Sequence, residues 1–309
     1  MIVPIGFIDS VEVVDTRLLE YFVAVAEEQS FTRAATRLYV AQSTVSAGIR
    51  ALETRLGAVL IERAARHVSL TAAGEKLLTP AREIIEATER LTTTASGRVE
   101  GRLRVGIFVN LPALDLPRLF AAFLAQHPLV QLRLVSSPSG STGLADDLRR
   151  GRIDLAFMGL PAGDLPDLVT TELARSPLVA LVGSAHPLAA EADVTLERLS
   201  REPFVDGPAG FGQRTLVERE LARRGLSRQV FAEVSAVGDI PAFVAEGFGV
   251  ALVPRILVLP TPGVVALRLA DTIEWSLSAS TRPHPAPAVV ALRRTLVETM
   301  PVAVAASRQ

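Results

Sequence analysis

The residues best suited to recognise another molecule lie in one stretch, which spans residues 31–50 and reads FTRAATRLYVAQSTVSAGIR. Its second half carries short polar side chains and one arginine, namely Gln42, Ser43, Thr44, Ser46 and Arg50. Amide, hydroxyl and guanidinium groups hydrogen-bond to base edges and phosphates, whereas a protein core rarely buries so many of them together. The residue types therefore predict a surface that reads double-stranded DNA.

The apolar residues of the same stretch predict two short helices that hold this surface. The apolar faces are Phe31, Ala34, Ala35 and Leu38 in the first helix, and Val45, Ile49, Leu52 and Leu56 in the second. This spacing is typical of one face of a helix. Ser30 is suited to cap the first helix and Gly57 to end the second. The pattern indicates a helix-turn-helix whose second helix reads DNA.

Positive charge is concentrated around this segment, although the whole chain has a formal net charge of −1. Residues 29–70 hold six arginines, Arg33 among them, against two glutamates. Residues 57–71 contain two short apolar runs around a basic tip, which predicts a two-stranded wing. Arg63, Arg66 and His67 are suited to reach a phosphate backbone or a minor groove. The plainer alternatives are a solvated helix face for the arginines and an exposed loop histidine for His67.

Two further helices are predicted on either side of the helix-turn-helix. Residues 17–28 predict a helix that packs behind it. Residues 72–95 predict a longer helix in which Leu77, Ile84 and Leu91 lie seven residues apart, a heptad-like seam suited to dimerisation. The alternative for this helix is packing on its own domain. Pro80 inside it predicts a kink or a lost hydrogen bond.

The rest of the chain alternates apolar strands with helices, which favours parallel sheets covered by helices. The strand candidates are residues 103–108, 130–135, 153–158, 178–182, 203–205, 230–234 and 250–253. The helix candidates are residues 117–126, 141–150, 211–224, 238–246 and 287–300. Two similar runs, LRRGRIDLAFMG at 148–159 and VAEGFGVALVP at 244–254, indicate two similar α/β lobes.

A ligand site is expected where the strands of these lobes end. In open α/β sheets the ligand lies beyond the carboxyl ends of the strands. The turns at those ends span residues 108–111, 136–141, 159–160 and 206–213. They are rich in serine, glycine and asparagine, which offer hydroxyls and open backbone N–H groups at helix starts.

The sequence carries no motif of a common catalytic or metal site. It has no cysteine, which excludes disulfides, thiol nucleophiles and cysteine metal sites. Three of the four histidines precede a proline, which predicts loops and not a metal pair on one helix. There is no Gly-x-Ser-x-Gly elbow, P-loop or HExxH motif. We therefore expect no catalytic residue, no metal and no cofactor.

Nothing in the sequence indicates a membrane span or export. No run of about 18 apolar residues is present. Residues 1–14 lack the basic start, long apolar run and cleavage site of a signal peptide. We interpret them as an N-terminal extension, either an extra tail or a misplaced start codon, and expect a cytoplasmic protein.

Residues 18–74 resemble the DNA-binding domain of the LysR-type transcriptional regulators. The matching run includes SFTRAATRL, the Gln-x-x-x-Ser of 42–46, IRALETRLG at 49–57 and LTAAG at 70–74. The likeness continues through GRLRVGIF, QHPLVQLRL, LRRGRIDLAFMG, SAHPLA, REPFVDGP and EGFGVALVPR. It covers essentially the whole chain after residue 14.

The resemblance implies an α/β fold class in two parts. An N-terminal winged helix-turn-helix with a linker helix precedes a two-lobed α/β effector domain that resembles the type 2 periplasmic binding proteins. The implied bounds are 1–14 for the extension, 15–71 for the DNA-binding domain, 72–97 for the linker or dimerisation helix and 101–309 for the effector-binding domain. Lobe I comprises about 101–172 and 276–309, and lobe II about 173–275.

The resemblance also implies a mode of action. Such proteins are homodimers through the linker helix, usually assemble as homotetramers, bind two sites near a promoter and have RNA polymerase as a further partner. A small-molecule effector between the lobes changes the angle between the DNA-binding dimers. The base-contacting positions map to Gln42, Ser43, Ser46 and Ala47. This chain has Ser43 and Ala47 where the family commonly has proline and arginine.

The effector positions of the family can be carried over in the same way. They map to Asn110, Ser139, Gly140, Ser141, Gly159, Gly210, Phe211 and Gly212. Phe108, Leu111 and Phe211 are suited to flank an aromatic ligand, so an aromatic effector and a small polar or anionic one both stay open. The alternative function is a solute-binding or enzymatic use of the C-terminal α/β domain.

Overall fold

The computed structural model describes residues 15–64, 67–107 and 114–299 of the chain. The chain divides into an N-terminal unit that ends at Gly97 and a C-terminal unit that begins at Arg98. The predicted extension, residues 1–14, lies outside the described residues. Within the described ranges, no helix combines the length and the apolar character that a bilayer crossing requires.

Within its described residues, the N-terminal unit contains four helices and a two-stranded wing. Its elements are α1 (Thr16–Glu28), α2 (Phe31–Leu38), α3 (Gln42–Leu56), β1 (Ile61–Ala64), β2 (His67–Leu70) and α4 (Ala72–Ser96). The two strands pair antiparallel, with Ile61 opposite Leu70. These elements confirm the predicted helix-turn-helix, the wing and both flanking helices.

Local capping explains where these helices begin and end. The Ser30 hydroxyl oxygen accepts a hydrogen bond of 3.3 Å from the backbone N–H of Arg33 at the start of α2. Thr71 caps α4 in the same way, with 3.0 Å from its Oγ1 to the nitrogen of Gly74. Gly57, at positive φ, ends α3, because glycine adopts this conformation without strain. Pro80 lies inside α4, and the helix continues through it.

The helix-turn-helix packs on α1 through a buried apolar core. Phe22 of α1 and Val45 and Ile49 of α3 are each fully buried. At Gly48 the two helices approach so closely that a Cβ atom would overlap the ring of Tyr21 on α1. Tyr21 is itself buried, with 6% of its surface exposed. The mid-helix glycine of α3 is therefore explained by close packing of α1.

A buried ion cluster joins three helices of this unit. Glu27 of α1 accepts from Arg82 of α4, with 2.9 Å between Oε1 and Nη2. The other oxygen of Glu27 lies 2.5 Å from Nη1 of Arg37 on α2. Only 4% of the surface of Arg82 is exposed. Because buried charges are costly without partners, this cluster fixes α4 against the helix-turn-helix.

The C-terminal unit contains ten strands and six α-helices within its described ranges. The strands are β3 (Gly101–Ile107), β4 (Val130–Val135), β5 (Leu155–Met158), β6 (Val169–Gly183), β7 (Asp193–Val194), β8 (Pro203–Asp206), β9 (Gln229–Glu233), β10 (Ala251–Pro254), β11 (Val264–Leu269) and β12 (Glu274–Thr281). The helices are α5 (Leu116–Gln126), α6 (Gly140–Arg149), α7 (Leu196–Leu199), α8 (Gly212–Arg223), α9 (Ile240–Ala245) and α10 (Pro287–Thr299).

The main sheet is mixed, so the expectation of parallel sheets holds for only some of its strands. β3 runs parallel to β4 and β5, but β12 lies antiparallel to both β5 and β6. The antiparallel strand β12 was missed because polar side chains interrupt its apolar pattern. Ser278 and Ser280 are buried in it, and their hydroxyls bond to the carbonyl of Met158 and the hydroxyl of Thr170.

The long strand β6 belongs to two sets of strands. Its first part, residues 169–177, pairs with β12. Its second part, from Leu178, pairs antiparallel with β10 and β11. The sequence predicted only residues 178–182 of this strand, and it missed β7 and β11 as well as β12.

The two similar sequence runs adopt the same local structure. α6 is followed by Gly151 at positive φ and by the fully buried β5. α9 is followed by Gly247 at positive φ and by the fully buried β10. β8 and β9 pair parallel in a separate two-stranded sheet. A bridge from Phe204 to Val250 joins this pair to the segment just before β10.

Removal of the Arg82 guanidinium should destabilise the N-terminal unit. We expect Arg82→Ala to lower the free energy of unfolding by about 3–5 kcal/mol, because it leaves Glu27 buried beside one remaining cation. Urea denaturation of the full chain, followed by circular dichroism, measures the change. Glu83→Ala, an exposed position of the same helix, is the matched control, and equal stability of the two variants would contradict the cluster's role.

A methyl group at Gly48 should also destabilise the fold, despite the better helix propensity of alanine. Gly48→Ala should cost about 1–3 kcal/mol, because the ring of Tyr21 must move within a packed core. The same substitution should cost less in a Tyr21→Ala background, where the ring is absent. Denaturation midpoints of the four proteins give the coupling, and the same cost in both backgrounds would refute the packing explanation.

Candidate nucleic-acid interface and ligand site

The first half of α3 presents the predicted polar surface to solvent. Its exposed residues are Gln42, Ser43, Thr44, Ala47 and Arg50. No side chain in the described ranges caps this helix, whose N-cap is Ala41. The first N–H groups of α3 and the positive end of its dipole are therefore open to an anion such as a phosphate.

Ser46 does not lie on the outward face, and this prediction was wrong. Only 7% of its surface is exposed, since it follows the buried Val45 on the inner side of the helix. Arg50 donates from Nη2 to the Ser46 hydroxyl and from Nε to the Ser46 carbonyl, each at 3.3 Å. Ser46 therefore holds the guanidinium of Arg50 against the helix.

The other residues predicted to contact DNA are Arg33, Arg63, Arg66 and His67. Of their side chains, the structure describes that of Arg33. Arg33 is exposed at the start of α2, and its guanidinium donates to the backbone carbonyl of Glu28. Arg63 and His67 lie on β1 and β2 of the wing, and their side chains are outside the described part. Arg66 lies between the strands and is likewise outside the described residues.

In the C-terminal unit, the turns after several strands meet at one place. The Ser141 hydroxyl accepts a hydrogen bond of 3.1 Å from the backbone N–H of Gly159. Thr142 donates to the carbonyl of Gly210 from both its backbone N–H, at 3.0 Å, and its hydroxyl, at 3.1 Å. The structure thus brings together residues 139–142, Gly159 and residues 210–212. The other predicted ligand residues, Phe108, Asn110 and Leu111, lie outside the described residues.

This meeting place is built on close backbone contact. A Cβ atom on Gly212 would overlap the carbonyl oxygen of Gly159. A Cβ on Gly140 would lie 2.7 Å from the ring of Phe211, which is buried with 3% of its surface exposed. A Cβ on Gly159 would lie 2.5 Å from the indole nitrogen of Trp275. Phe211 and Trp275 therefore form apolar walls at the turns.

Two helices begin at this place with their first turns uncapped by side chains. α6 starts after Ser139 and α8 after Phe211, and within the described ranges no side chain accepts from either first turn. The N–H groups of Gly212 and Gln213 have no hydrogen-bond acceptor among the described residues. These donors and the positive helix ends suit a ligand that carries hydrogen-bond acceptors.

Sequence reasoning did not single out Gln213, the second residue of α8. It has no exposed surface, and neither amide atom has a partner in the described part of the chain. A glutamine in the first turn of a helix usually faces water, so no sequence pattern indicates that Gln213 is buried.

The charged groups beneath the ligand site are paired with one another. Arg228 forms a buried ion pair with Asp206, and its guanidinium lies 4.8 Å from the ring centre of Phe204. Burial raises the pKa of the Asp206 carboxyl above its ordinary value, although Arg228 opposes this shift. Arg214 donates to the carbonyl of Gly207 at 2.8 Å and pairs with Glu218 and Glu233. Within the described ranges, no three histidine, aspartate or glutamate residues group to hold a metal ion.

Comparisons with known proteins cover almost the whole described chain. Residues 16–75 match the family described as bacterial regulatory helix-turn-helix protein, lysR family, and residues 96–301 match the LysR substrate binding domain. The chain is 33% identical over 248 residues to the uncharacterized HTH-type transcriptional regulator YnfL of Escherichia coli (strain K12). This alignment covers 78% of this chain and 82% of that protein.

Solved structures agree with this assignment. A variant of full-length OxyR from Pseudomonas aeruginosa is similar with a TM-score of 0.74 and 26% identity, covering 92% of this chain and 94% of that chain. Full-length CbnR complexed with its target DNA is similar with a TM-score of 0.56 and 26% identity, covering 92% and 99%. The comparisons give no support to a solute-binding or enzymatic use of the C-terminal unit.

Both halves of the chain match one family, and the fold and the uncapped recognition helix agree with its function. The chain therefore belongs to the LysR family, and it is a DNA-binding transcriptional regulator modulated by a small-molecule effector, not an enzyme.

Proposed function

We propose that α3 lies in the major groove of its target DNA. The observation that carries this proposal is the exposed, uncapped first half of α3. Its groove contacts are Gln42, Ser43, Thr44, Ala47 and Arg50. Ala47 offers only a methyl group, which suits contact with a thymine methyl and cannot donate to guanine. Ser46 acts through Arg50, which it holds in place.

In the same proposal, the surrounding basic residues contact the DNA backbone. Arg33 at the start of α2 and Arg63, Arg66 and His67 of the wing contact phosphates or the adjacent minor groove. The antiparallel β1–β2 pair supports this role, since a two-stranded wing extends the DNA-binding surface beyond the recognition helix.

Arg50→Ala should weaken DNA binding without unfolding the chain, because Arg50 is exposed. We expect a loss of about 1–3 kcal/mol of binding free energy if the guanidinium contacts a base, and a salt slope smaller by about 1 if it contacts a phosphate. Fluorescence anisotropy over a salt series, on DNA selected from a random pool by the unaltered protein, measures both.

The control for this experiment is Arg55→Ala, in the last turn of the same helix. Arg55 lies about 140° around the helix from Arg50 and about 7.5 Å along its axis. We expect a smaller effect from this variant. If Arg50→Ala changes neither the affinity for DNA nor the salt slope, the proposed placement of α3 in the major groove is wrong.

We further propose that α4 forms a homodimer and that dimers assemble as a homotetramer. Ile84 and Leu91, seven residues apart, are 48% and 73% exposed. A 25-residue helix that leaves such side chains exposed at heptad spacing is suited to pack against a second copy of itself. Pro80 does not interrupt this helix.

The regulator acts in the cytoplasm, with RNA polymerase as a further partner.

Acidic side chains on the seam of α4 should dissociate the dimer. The double variant Ile84→Glu/Leu91→Glu places like charges opposite one another in the paired helices, which destabilises such contacts. Sedimentation velocity over a protein concentration series should show a dimer dissociation constant at least about tenfold higher. Glu83→Ala, at an exposed position about 100° around the helix from Ile84, should leave the dissociation constant nearly unchanged. If the double variant assembles like the unaltered protein, the proposed dimer contact along α4 is wrong.

The effector site in this proposal lies at the meeting place of the turns in the C-terminal unit. Its described residues are Ser139, Gly140, Ser141, Gly159, Gly210, Phe211 and Gly212, and Phe108, Asn110 and Leu111 complete it. The uncapped starts of α6 and α8 support this assignment. An effector changes the contact between Thr142 and Gly210, and this rearrangement alters how the paired DNA-binding domains engage their two sites.

The proposed domain bounds follow from the same features. The DNA-binding domain spans 15–71, the linker helix 72–97 and the effector domain 101–309. Within the effector domain, lobe I spans 101–172 and 276–309, and lobe II spans 173–275. The change of partners along β6 supports two lobes, although it falls at Pro177 and Leu178, a few residues later in the chain.

A further inference from the structure

Gln213 is a buried polar residue whose side-chain amide has no partner among the described residues. None of its surface is exposed, and both Oε1 and Nε2 lack a hydrogen-bond partner among the described residues. Burial of an unpaired amide destabilises a folded protein, because the hydrogen bonds to water are lost and nothing replaces them. Such a residue is explained if a bound molecule supplies the missing partners.

Gln213 lies beside the turns of the proposed effector site. Its chain neighbour Gly212 touches the carbonyl of Gly159. A Cβ atom on Gly207 would lie 3.4 Å from Nε2 of Gln213 and 3.5 Å from Cγ of Phe211. The amide of Gln213 and the ring of Phe211 therefore border the same turn at the start of α8.

At the start of α8, the groups without a hydrogen-bond partner among the described residues include both donors and an acceptor. The backbone N–H groups of Gly212 and Gln213 have no acceptor among the described residues, and Nε2 of Gln213 adds further donors. Oε1 of Gln213 is an acceptor. A carboxylate accepts only, so it would leave Oε1 unpaired, whereas a carboxamide or lactam presents a carbonyl and an N–H side by side.

The two neighbouring arginines already have carboxylate partners, although Nε of the buried Arg228 has no hydrogen-bond partner among the described residues. Arg214 donates to the carbonyl of Gly207 and pairs with Glu218 and Glu233. Arg228 is buried against Asp206. A charged ligand here would lack the guanidinium clamp that usually binds a carboxylate.

We infer that Gln213 is a specificity-determining residue, and that the effector carries a neutral carboxamide or lactam that pairs with the Gln213 amide. The inference rests on the proposed effector site. The ring of Phe211 supplies an apolar wall beside this pair, so a planar molecule such as an aromatic amide or a pyrimidine suits the site.

The first test needs no ligand. Gln213→Leu removes the unpaired amide and keeps its approximate volume, so the ligand-free protein should melt about 2–4 °C higher. Gln126→Leu, at an exposed glutamine of the same unit, should leave the melting temperature unchanged. A lower melting temperature for Gln213→Leu would show that the amide has a structural role and would overturn the inference.

The second test uses matched probes. Nicotinamide and uracil should raise the melting temperature of the full-length protein, and nicotinate should not. Isothermal titration should show at least about tenfold weaker binding of the responding probe to Gln213→Leu than to the unaltered protein. Equal stabilisation by nicotinamide and nicotinate, equal binding to the two proteins, or no response to either amide probe would each overturn the inference.

Measuring DNA binding in the presence of each probe distinguishes a failure of this inference from a failure of the proposed effector site. A probe that changes DNA affinity equally in the unaltered protein and in Gln213→Leu would leave the effector site standing and remove Gln213 from it. A probe that binds through Gln213 without any change in DNA affinity would support amide recognition and contradict the effector role of the site.

Discussion

The fold of the C-terminal unit depends on one strand that is shared between two sets of partners. The 15 residues of β6 pair first with β12 and then with β10 and β11. A continuous strand can serve both sets only if its backbone hydrogen bonds are satisfied along its whole length. The partner change falls at Pro177 and Leu178, where the Leu178 N–H still donates to the carbonyl of Ile273, the residue before β12, while Leu178 pairs with Pro254 of β10. This strand therefore joins the two sets into one continuous sheet.

The proposed effector site lies where turns from both sets meet, and glycine makes that meeting possible. Gly212 packs directly on the backbone of Gly159, so the starts of α6 and α8 come together. The carbonyl of Gly210 accepts two hydrogen bonds from Thr142 at the start of α6. The carbonyl of Gly210 thus accepts from the backbone N–H of Thr142, a donor that the start of α6 would otherwise offer to a ligand. In the proposed function, binding of an effector that competes for this donor would shift the contact between these two turns.

The sequence predicted the parts of the fold that rest on local pattern and missed those that rest on long-range pairing. Helix caps such as Ser30 and the repeated apolar spacing are local, so α1 to α4 were predicted with nearly their observed bounds. β12 was hidden because Ser278 and Ser280 are satisfied only by partners far along the chain. The meeting of the turns around residues 139–142, 159 and 210–212 was predicted, since strand ends collect at one edge. The burial of Ser46 and Gln213 was not, because it depends on packing that no residue pattern encodes.

The regulator uses the same physical device at both of its proposed sites, the uncapped start of a helix. In α3 the first turn is exposed, so water satisfies it until a phosphate or base edge arrives, and the cost of leaving it open is small. In α8 the first turn is buried beside Gln213, so its donors are unsatisfied in the described chain and the cost is larger. The difference suits the two ligands. DNA brings many charges and binds by long-range attraction, whereas a small molecule must gain most of its binding free energy from a few desolvated contacts that are already in place.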